Sequence, residues 1–163
     1  LLIISVFAIP AFRTILSFLD YKYLLLIHVL RIPVEFVLWK LSQENVIPIS
    51  MTFKGTNFDL FSGISAIAIY YWVYVRKQES KTLLLAWNIA GIILLLNAFT
   101  AGILSIPSTI QKINFEHPNL AVLYFPFVWL PSFILPAILF AHLAYIRNLM
   151  LERSSSLLST FNK

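Results

Sequence analysis

Apolar and polar positions alternate along this chain in long blocks rather than residue by residue. Five apolar runs stand out, at about 1–19, 21–41, 58–75, 82–106 and 120–146. Each has about the 20 residues that an α-helix needs to cross the hydrocarbon core of a bilayer. Between them lie the turn-rich segment 42–57, with Pro48 and Gly55 as punctuation, the hydrophilic turn Arg76 to Lys81, and a polar stretch at 107–119. A Ser-rich tail, 147–163, closes the chain. No stretch of about ten alternating apolar and polar residues occurs, so the pattern predicts helices and not a membrane barrel.

The runs differ in quality. Pro10 and Arg13 interrupt the first, so that residues 1–9 read as the end of one span and 11–20 as a short interfacial helix. The chain also starts inside this run, without an initiator methionine or a basic stretch, which reads as a portion of a longer protein; further spans upstream would leave the orientation unchanged. The run 82–106 is the clearest, broken only by Asn88 and Asn97 and stopped by Pro107. In the last, Pro126, Pro131 and Pro136 predict a kink or irregular first turns.

Composition agrees with this reading. Hydrophobic residues make up 60% and charged residues 12%, against roughly half and a quarter in soluble domains. The expected fold is therefore an all-α, polytopic transmembrane helix bundle of about five spans, forming a single domain in the cell membrane. The net charge of +5 would suggest nucleic acid in a soluble protein, but here the basic residues sit at the ends of apolar runs, where they orient helices. A five-span arrangement puts Arg13, Lys22, Arg76, Lys77, Lys81, Arg147, Arg153 and Lys163 on one side and only Lys40, Lys54 and Lys112 on the other. By the positive-inside rule the 76–81 turn and the C-terminal tail are cytoplasmic, and the loops 42–57 and 107–119 lie outside. The chain has no cysteine, which excludes disulfides, thiolate metal sites and cysteine nucleophiles.

Candidate chemistry is sparse. Arg31 and Glu35 lie four residues apart inside the second run, where they can meet on one helix face and neutralise each other. An ionisable residue at mid-membrane costs roughly 2.5 to 3.5 kcal/mol on insertion scales, so such residues face protein or water and mark function or packing. His28 shares the face of Arg31. It lies about as deep as His142 on another helix, and two such imidazoles could hold a haem b iron axially or another metal. Asn88 and Asn97 are half a turn out of phase and address different neighbours as interhelical hydrogen bonds. Gly63, Ser65, Gly91 and Gly102 are small residues that permit close helix approach.

The outer loops carry Glu44, Met51, Thr52, Asn57, Asp59, Glu116, His117 and Asn119, without an HExxH or other metal-ligand spacing. Asn57 and Asp59, at the start of a run, read first as helix N-caps. No Gly-rich phosphate loop, GxSxG elbow or paired-carboxylate pattern is present, so no catalytic residue is assigned.

At HVLRIPVEFVLW (28–39), MTFKGTNFD (51–59), LLAWNIAGIILLLN (84–97), PNLAVLYFPFVWLP (118–131) and AHLAYIRNL (141–149), the chain resembles an uncharacterised family of bacterial multi-span integral membrane proteins. The resemblance covers nearly everything after Tyr21. It implies a bacterial inner-membrane location and transfers no catalytic residue. In the orientation above, Arg31, Glu35, Asn57, Asp59, Asn97, Glu116, His117 and Trp129 converge on an outward-facing pocket. The leading expectation is a non-enzymatic accessory subunit or a binder of lipid or a small hydrophobic ligand, without a cofactor. Its partners would be membrane lipids, other membrane subunits or a second copy of the chain. Alternatives are a transporter or channel component using Arg31 and Glu35, a haem b redox protein using His28 and His142, and an embedded hydrolase or transferase using Glu116, His117 and Asp59.

Overall fold

Two of the irregular helical turns in this chain sit beside a proline. In the computed structural model, which describes Leu16 and residues 19–161, with side chains through residue 151, α1 (Tyr21–Leu26) passes through a 3-10 turn (Ile27–Leu30) into α2 (Arg31–Gln43). Pro33 explains the tightened turn: its ring has no N–H to give and would clash with the carbonyl of Val29, four residues earlier, in a regular helix. A second accommodation precedes α5 (Leu135–Phe161), where Leu130–Ile134 forms a π-helical turn around Pro131. The remaining helices are α3 (Asp59–Tyr70), which ends in a π turn (Tyr71–Val75), and α4 (Lys81–Leu104). Because α1, the 3-10 turn and α2 are continuous, the described residues form four helical rods and no strand.

The element boundaries follow capping chemistry. Asp20 accepts the Lys22 N–H at 2.9 Å to start α1, and Ser80 Oγ accepts the Leu83 N–H at 3.4 Å to start α4. Asn45, at φ 56°, ends α2 in a Schellman pattern: Val46 N–H reaches Leu41 O at 3.1 Å and Asn45 N–H reaches Ser42 O at 3.2 Å. Among the described residues two rods are long and apolar enough to cross a membrane, Lys81–Leu104 and Leu130–Leu151. The shorter rod Asp59–Val75 is apolar as well.

One expectation changes here. The last rod begins at Leu130 instead of near residue 120, because residues 120–128 hold only a 3-10 turn (Ala121–Leu123) and the turn that follows it around Pro126. At its other end α5 runs on to Phe161, so the polar tail from residue 147 is helical; serines lower helix propensity only weakly. The first apolar run, 1–19, lies almost wholly outside the described residues.

The bundle has two distinct ends. At the end bearing the 76–81 turn, Leu25, Ile69, Leu84, Tyr145 and Leu149 form a closed apolar cluster, with Tyr21 edge-on to Tyr145 at 5.7 Å between centroids. The opposite end gathers Leu38, Ile47 and Ala121, with Met51, Phe127 and Leu130 packed against them. There the two long loops are tied together: Leu120 N–H donates to Val46 O at 3.0 Å, and Ser50 Oγ donates to Asn114 Oδ1 at 3.2 Å. Between the two clusters lies a buried polar layer.

Candidate functional site

The polar layer is assembled from four rods. Arg31 and Glu35 come from α2, Asp59 from the first turn of α3, Asn88 from α4 and His142 from α5. Each has 8% or less of its surface exposed. At the centre is Arg31, whose Nη1 donates to Asp59 Oδ1 at 2.8 Å. Its Nη2 lies 3.1 Å from His142 Nε2 and donates to Gly91 O at 3.4 Å. A guanidinium has no acceptor, so Nε2 must accept and the ring proton must sit on Nδ1. From there it donates to Asn88 Oδ1 at 2.9 Å, while Asn88 Nδ2 donates to Leu84 O at 2.8 Å. The chain of bonds thus fixes one tautomer of His142 and links three helices.

Two glycines make this proximity geometrically accessible. A Cβ on Gly91 would lie 2.3 Å from His142 Cε1 and 2.5 Å from its Nε2, so the imidazole occupies the space that a side chain would take. On Gly63 it would lie 2.9 Å from Ile32 Cγ1 and 3.2 Å from Arg31 Cβ, which lets α3 close on α2.

The 42–57 loop delivers the second carboxyl partner. Gly55 sits where a Cβ would meet Ile49 O at 2.4 Å, so the loop can fold back on its own 3-10 turn only with glycine there. Thr56 N–H then bonds Ser50 O at 3.1 Å and Asn57 N–H bonds Thr52 O at 3.3 Å. This turn aims the Asn57 amide at Glu35: Nδ2 donates to Glu35 Oε1 and, at 3.1 Å, to Met51 O. Asn57 Oδ1 accepts the Asp59 N–H at 3.1 Å. The Phe53 backbone lies near the Glu35 carboxyl but no side chain donates to its Oε2, and Arg31 Nε and the two ring nitrogens of His28 have no hydrogen-bond partner.

Above this layer, toward the loop end, lies a cavity of about 180 Å³. Its floor is Arg31, Glu35, Asn57 and Asp59. Its walls are apolar, among them Leu38, Met51, Leu95, Ala98, Phe127 and Ile138. Asn119 also faces it, held by its N–H on Ser105 O at 2.8 Å and its Nδ2 on Gly102 O at 3.3 Å.

Several expectations change against this geometry. Arg31 and Glu35 form no salt bridge with each other, although their charges interact; the guanidinium turns to Asp59 on the neighbouring helix, and Glu35 turns to Asn57. Asp59 is consequently no N-cap, since its carboxylate is spent on Arg31, whereas Asn57 does accept the N–H at the start of α3. Glu116, His117 and Trp129 are exposed and none lines the cavity. Asn97 is also outside it; its Nδ2 donates to Thr56 O at 3.0 Å and ties α4 to the loop. With Asp59 buried against Arg31, and Glu116 and His117 on the surface, those three do not form one hydrolytic site.

Haem b does not fit between His28 and His142. Their rings stack directly, with centroids 4.0 Å apart and planes at 30°, while axial ligands must stand on opposite faces of a porphyrin. Both ring nitrogens of His142 are also already engaged. Trp87 closes the other side of this pair, its ring 5.2 Å from His28 and 5.5 Å from His142.

The spacing along the chain did not disclose Asn88 and Gly91 as the partner and the seat of His142, or Asn119 as a cavity residue. Asn88 and Gly91 each carried a packing signal, but the partner lies more than fifty positions away and is set by how α4 and α5 meet.

Compared with known proteins, residues 1–150 match the family model of a domain of unknown function, DUF8737. No curated protein and no solved structure matches the chain.

Proposed function

We propose, from the premise that this chain belongs to the DUF8737 family, that it is a multi-pass protein of the bacterial inner membrane that binds a lipid or another small amphiphile in its loop-end cavity. The membrane part of the reading rests on an inside-out distribution of side chains. Arg31, Glu35, His28, His142 and Asn88 are buried, while Phe36, Phe61, Ile64, Ile67, Ile93, Leu96 and Phe133 are about half or more exposed. Only 22% of the most apolar window of α4 is buried. A soluble bundle of this kind would expose apolar surface well beyond the few hundred Å² that monomers tolerate. In lipid the same surface is solvated, and the polar residues face the bundle interior as intramembrane charges do. The basic residues then place the 76–81 turn and the C-terminal end in the cytoplasm and the two tied loops outside, with five spans counting the first apolar run.

The ligand part rests on the single observation of an apolar cavity whose floor is ionic. An apolar cavity only slightly smaller, about 150 Å³, binds benzene-sized molecules in other proteins. An alkyl segment lying in the walls, with its polar end on the floor, uses both features. The sequence carries no recognised catalytic motif, and the role proposed is binding, by the chain alone or as an accessory subunit for another membrane protein.

A second reading, a transporter or channel component, is favoured by the linked chain Asn88, His142, Arg31 and Asp59. Flux into liposomes that disappears with Glu35→Gln would support it over simple binding.

Because the chain has no cysteine, single-cysteine labelling tests the main reading cleanly. Ser80→Cys and Ser108→Cys are expected to react from opposite sides of a sealed vesicle, and Ala98→Cys to be shielded from a membrane-permeant maleimide when amphiphile is added. Labelling of the first two from the same side, or an Ala98→Cys rate indifferent to every amphiphile supplied, contradicts it.

A further inference from the structure

We infer that the pocket selects an amphiphile whose polar head is a protonated amine, with Glu35 as its counter-ion; this deepens the ligand-binding reading above and rests on it. Three observations converge on that head group. First, the residues lining the cavity carry two carboxyl groups, Glu35 and Asp59, against one guanidinium, Arg31. Asp59 and Arg31 pair at 2.8 Å, which leaves Glu35 with no salt bridge. A buried carboxyl in that position favours its neutral form unless a cation joins it, so an ammonium head is the partner with which Glu35 becomes an ion pair. Second, Glu35 is 1% exposed and lines the cavity; Oε1 accepts from Asn57, the Phe53 backbone lies near the carboxyl, and no side chain donates to Oε2. An ammonium group supplies donors for that oxygen; a carboxylate or phosphate head supplies none and adds like charge. Third, Arg31 offers an anionic head little, because both Nη atoms are engaged with Asp59, Gly91 and His142 and only Nε is without a partner.

The apolar part of the ligand lies between Leu38, Met51, Leu95, Phe127 and Ile138. Asn57 is a positioning residue here: bonded to Glu35, Met51 O and the Asp59 N–H, it holds the carboxylate with one oxygen toward the cavity. The same ammonium chemistry occurs in an ethanolamine lipid head and in a free alkylamine, and the experiment separates these sources.

The test measures the thermal unfolding midpoint of the full chain in non-ionic detergent, titrated near neutral pH with octylamine, octanol or octanoate. Octylamine is expected to bind about tenfold or more tighter than octanol, as a charge-assisted hydrogen bond exceeds a neutral one, and octanoate weakest. In Glu35→Gln octanol affinity should persist and the amine preference should vanish. Should that variant fail to fold, the ranking of the three heads on the unmodified protein still decides. Equal binding of all three, or an amine preference untouched in Glu35→Gln, overturns the inference while leaving an amphiphile pocket standing. Failure of all three to bind removes the pocket reading and this inference together. Native mass spectra after exposure to phosphatidylethanolamine or phosphatidylglycerol vesicles then assign the source: retention of the first alone identifies a lipid head, and binding of octylamine with neither lipid identifies a free amine. Retention of phosphatidylglycerol in preference to phosphatidylethanolamine counts against the inference.

Discussion

The two ends of this bundle are built from similar residue types and reach opposite packing states. At the turn end, Leu25, Ile69, Leu84, Tyr145 and Leu149 close into a filled core. At the loop end, Leu38, Ile47 and Ala121 stand beside a cavity of about 180 Å³ floored by ion-paired and hydrogen-bonded side chains. At the first end α1, α3, α4 and α5 bring their apolar residues into one cluster, and Val73 and Tyr74 of the π turn that ends α3 pack against it. The second is bordered by the irregular stretch 120–128 and the π turn around Pro131, from which Ala121, Phe127 and Leu130 pack against Leu38 of α2 beside the cavity. Apolar content alone therefore does not fill a core.

Substitutions sharpen the contrast. The largest effect is expected in the layer that separates the two ends: Arg31→Ala strands Asp59 in the interior and should cost about 3 to 5 kcal/mol, as removal of one partner from a buried pair does. Loss of folded protein in detergent gel filtration checks this, and Arg31→Met with Asp59→Leu should recover most of it. Next, Leu84→Ala in the filled cluster is expected to cost about 2 to 5 kcal/mol by thermal unfolding, as cavity-forming changes do. A cost below that range would mean that the turn end is as loose as the loop end.

The two glycines of α4 give the smallest and most discriminating comparison. Gly91→Ala drives a methyl into the His142 ring and should cost about 1 to 3 kcal/mol through overpacking. Gly102→Ala, whose nearest neighbour would be Met51 Cε at 3.4 Å, should fall within about 0.5 kcal/mol of the unmodified protein or be slightly stabilising, since it meets only ordinary contact and raises helix propensity. Equal penalties at both positions would erase the distinction between a filled and a hollow region.

Much of this was legible in the sequence. The long apolar blocks gave helices at 59–75 and 81–104 close to their observed limits, because the 3.6-residue geometry needs only local information. Arg31, Glu35, Asn57 and Asp59 stood out as polar residues in or beside apolar runs, and the structure does bring these four together on one cavity floor. Their pairing was not legible. A four-residue spacing allows Arg31 to meet Glu35, but Gly63 lets α3 approach so closely that Asp59 competes, and the guanidinium takes Asp59 as its ion-pair partner. His28 and His142 were placed at similar depth, yet depth does not tell a porphyrin-width gap from direct stacking. Glu116, His117 and Trp129 shared an expected face with the site, and face is coarser than site: all three point away from the cavity.

The most direct test of the central claim is lipid analysis of the protein extracted from its own membranes in a polymer-bounded patch and then delipidated, compared with Ala98→Trp, which places an indole in the cavity. The expected result is one tightly retained amphiphile per chain in the unmodified protein and none in Ala98→Trp, with the variant's unfolding midpoint undiminished. Identical retained lipid in both proteins, or none in either, would contradict the account.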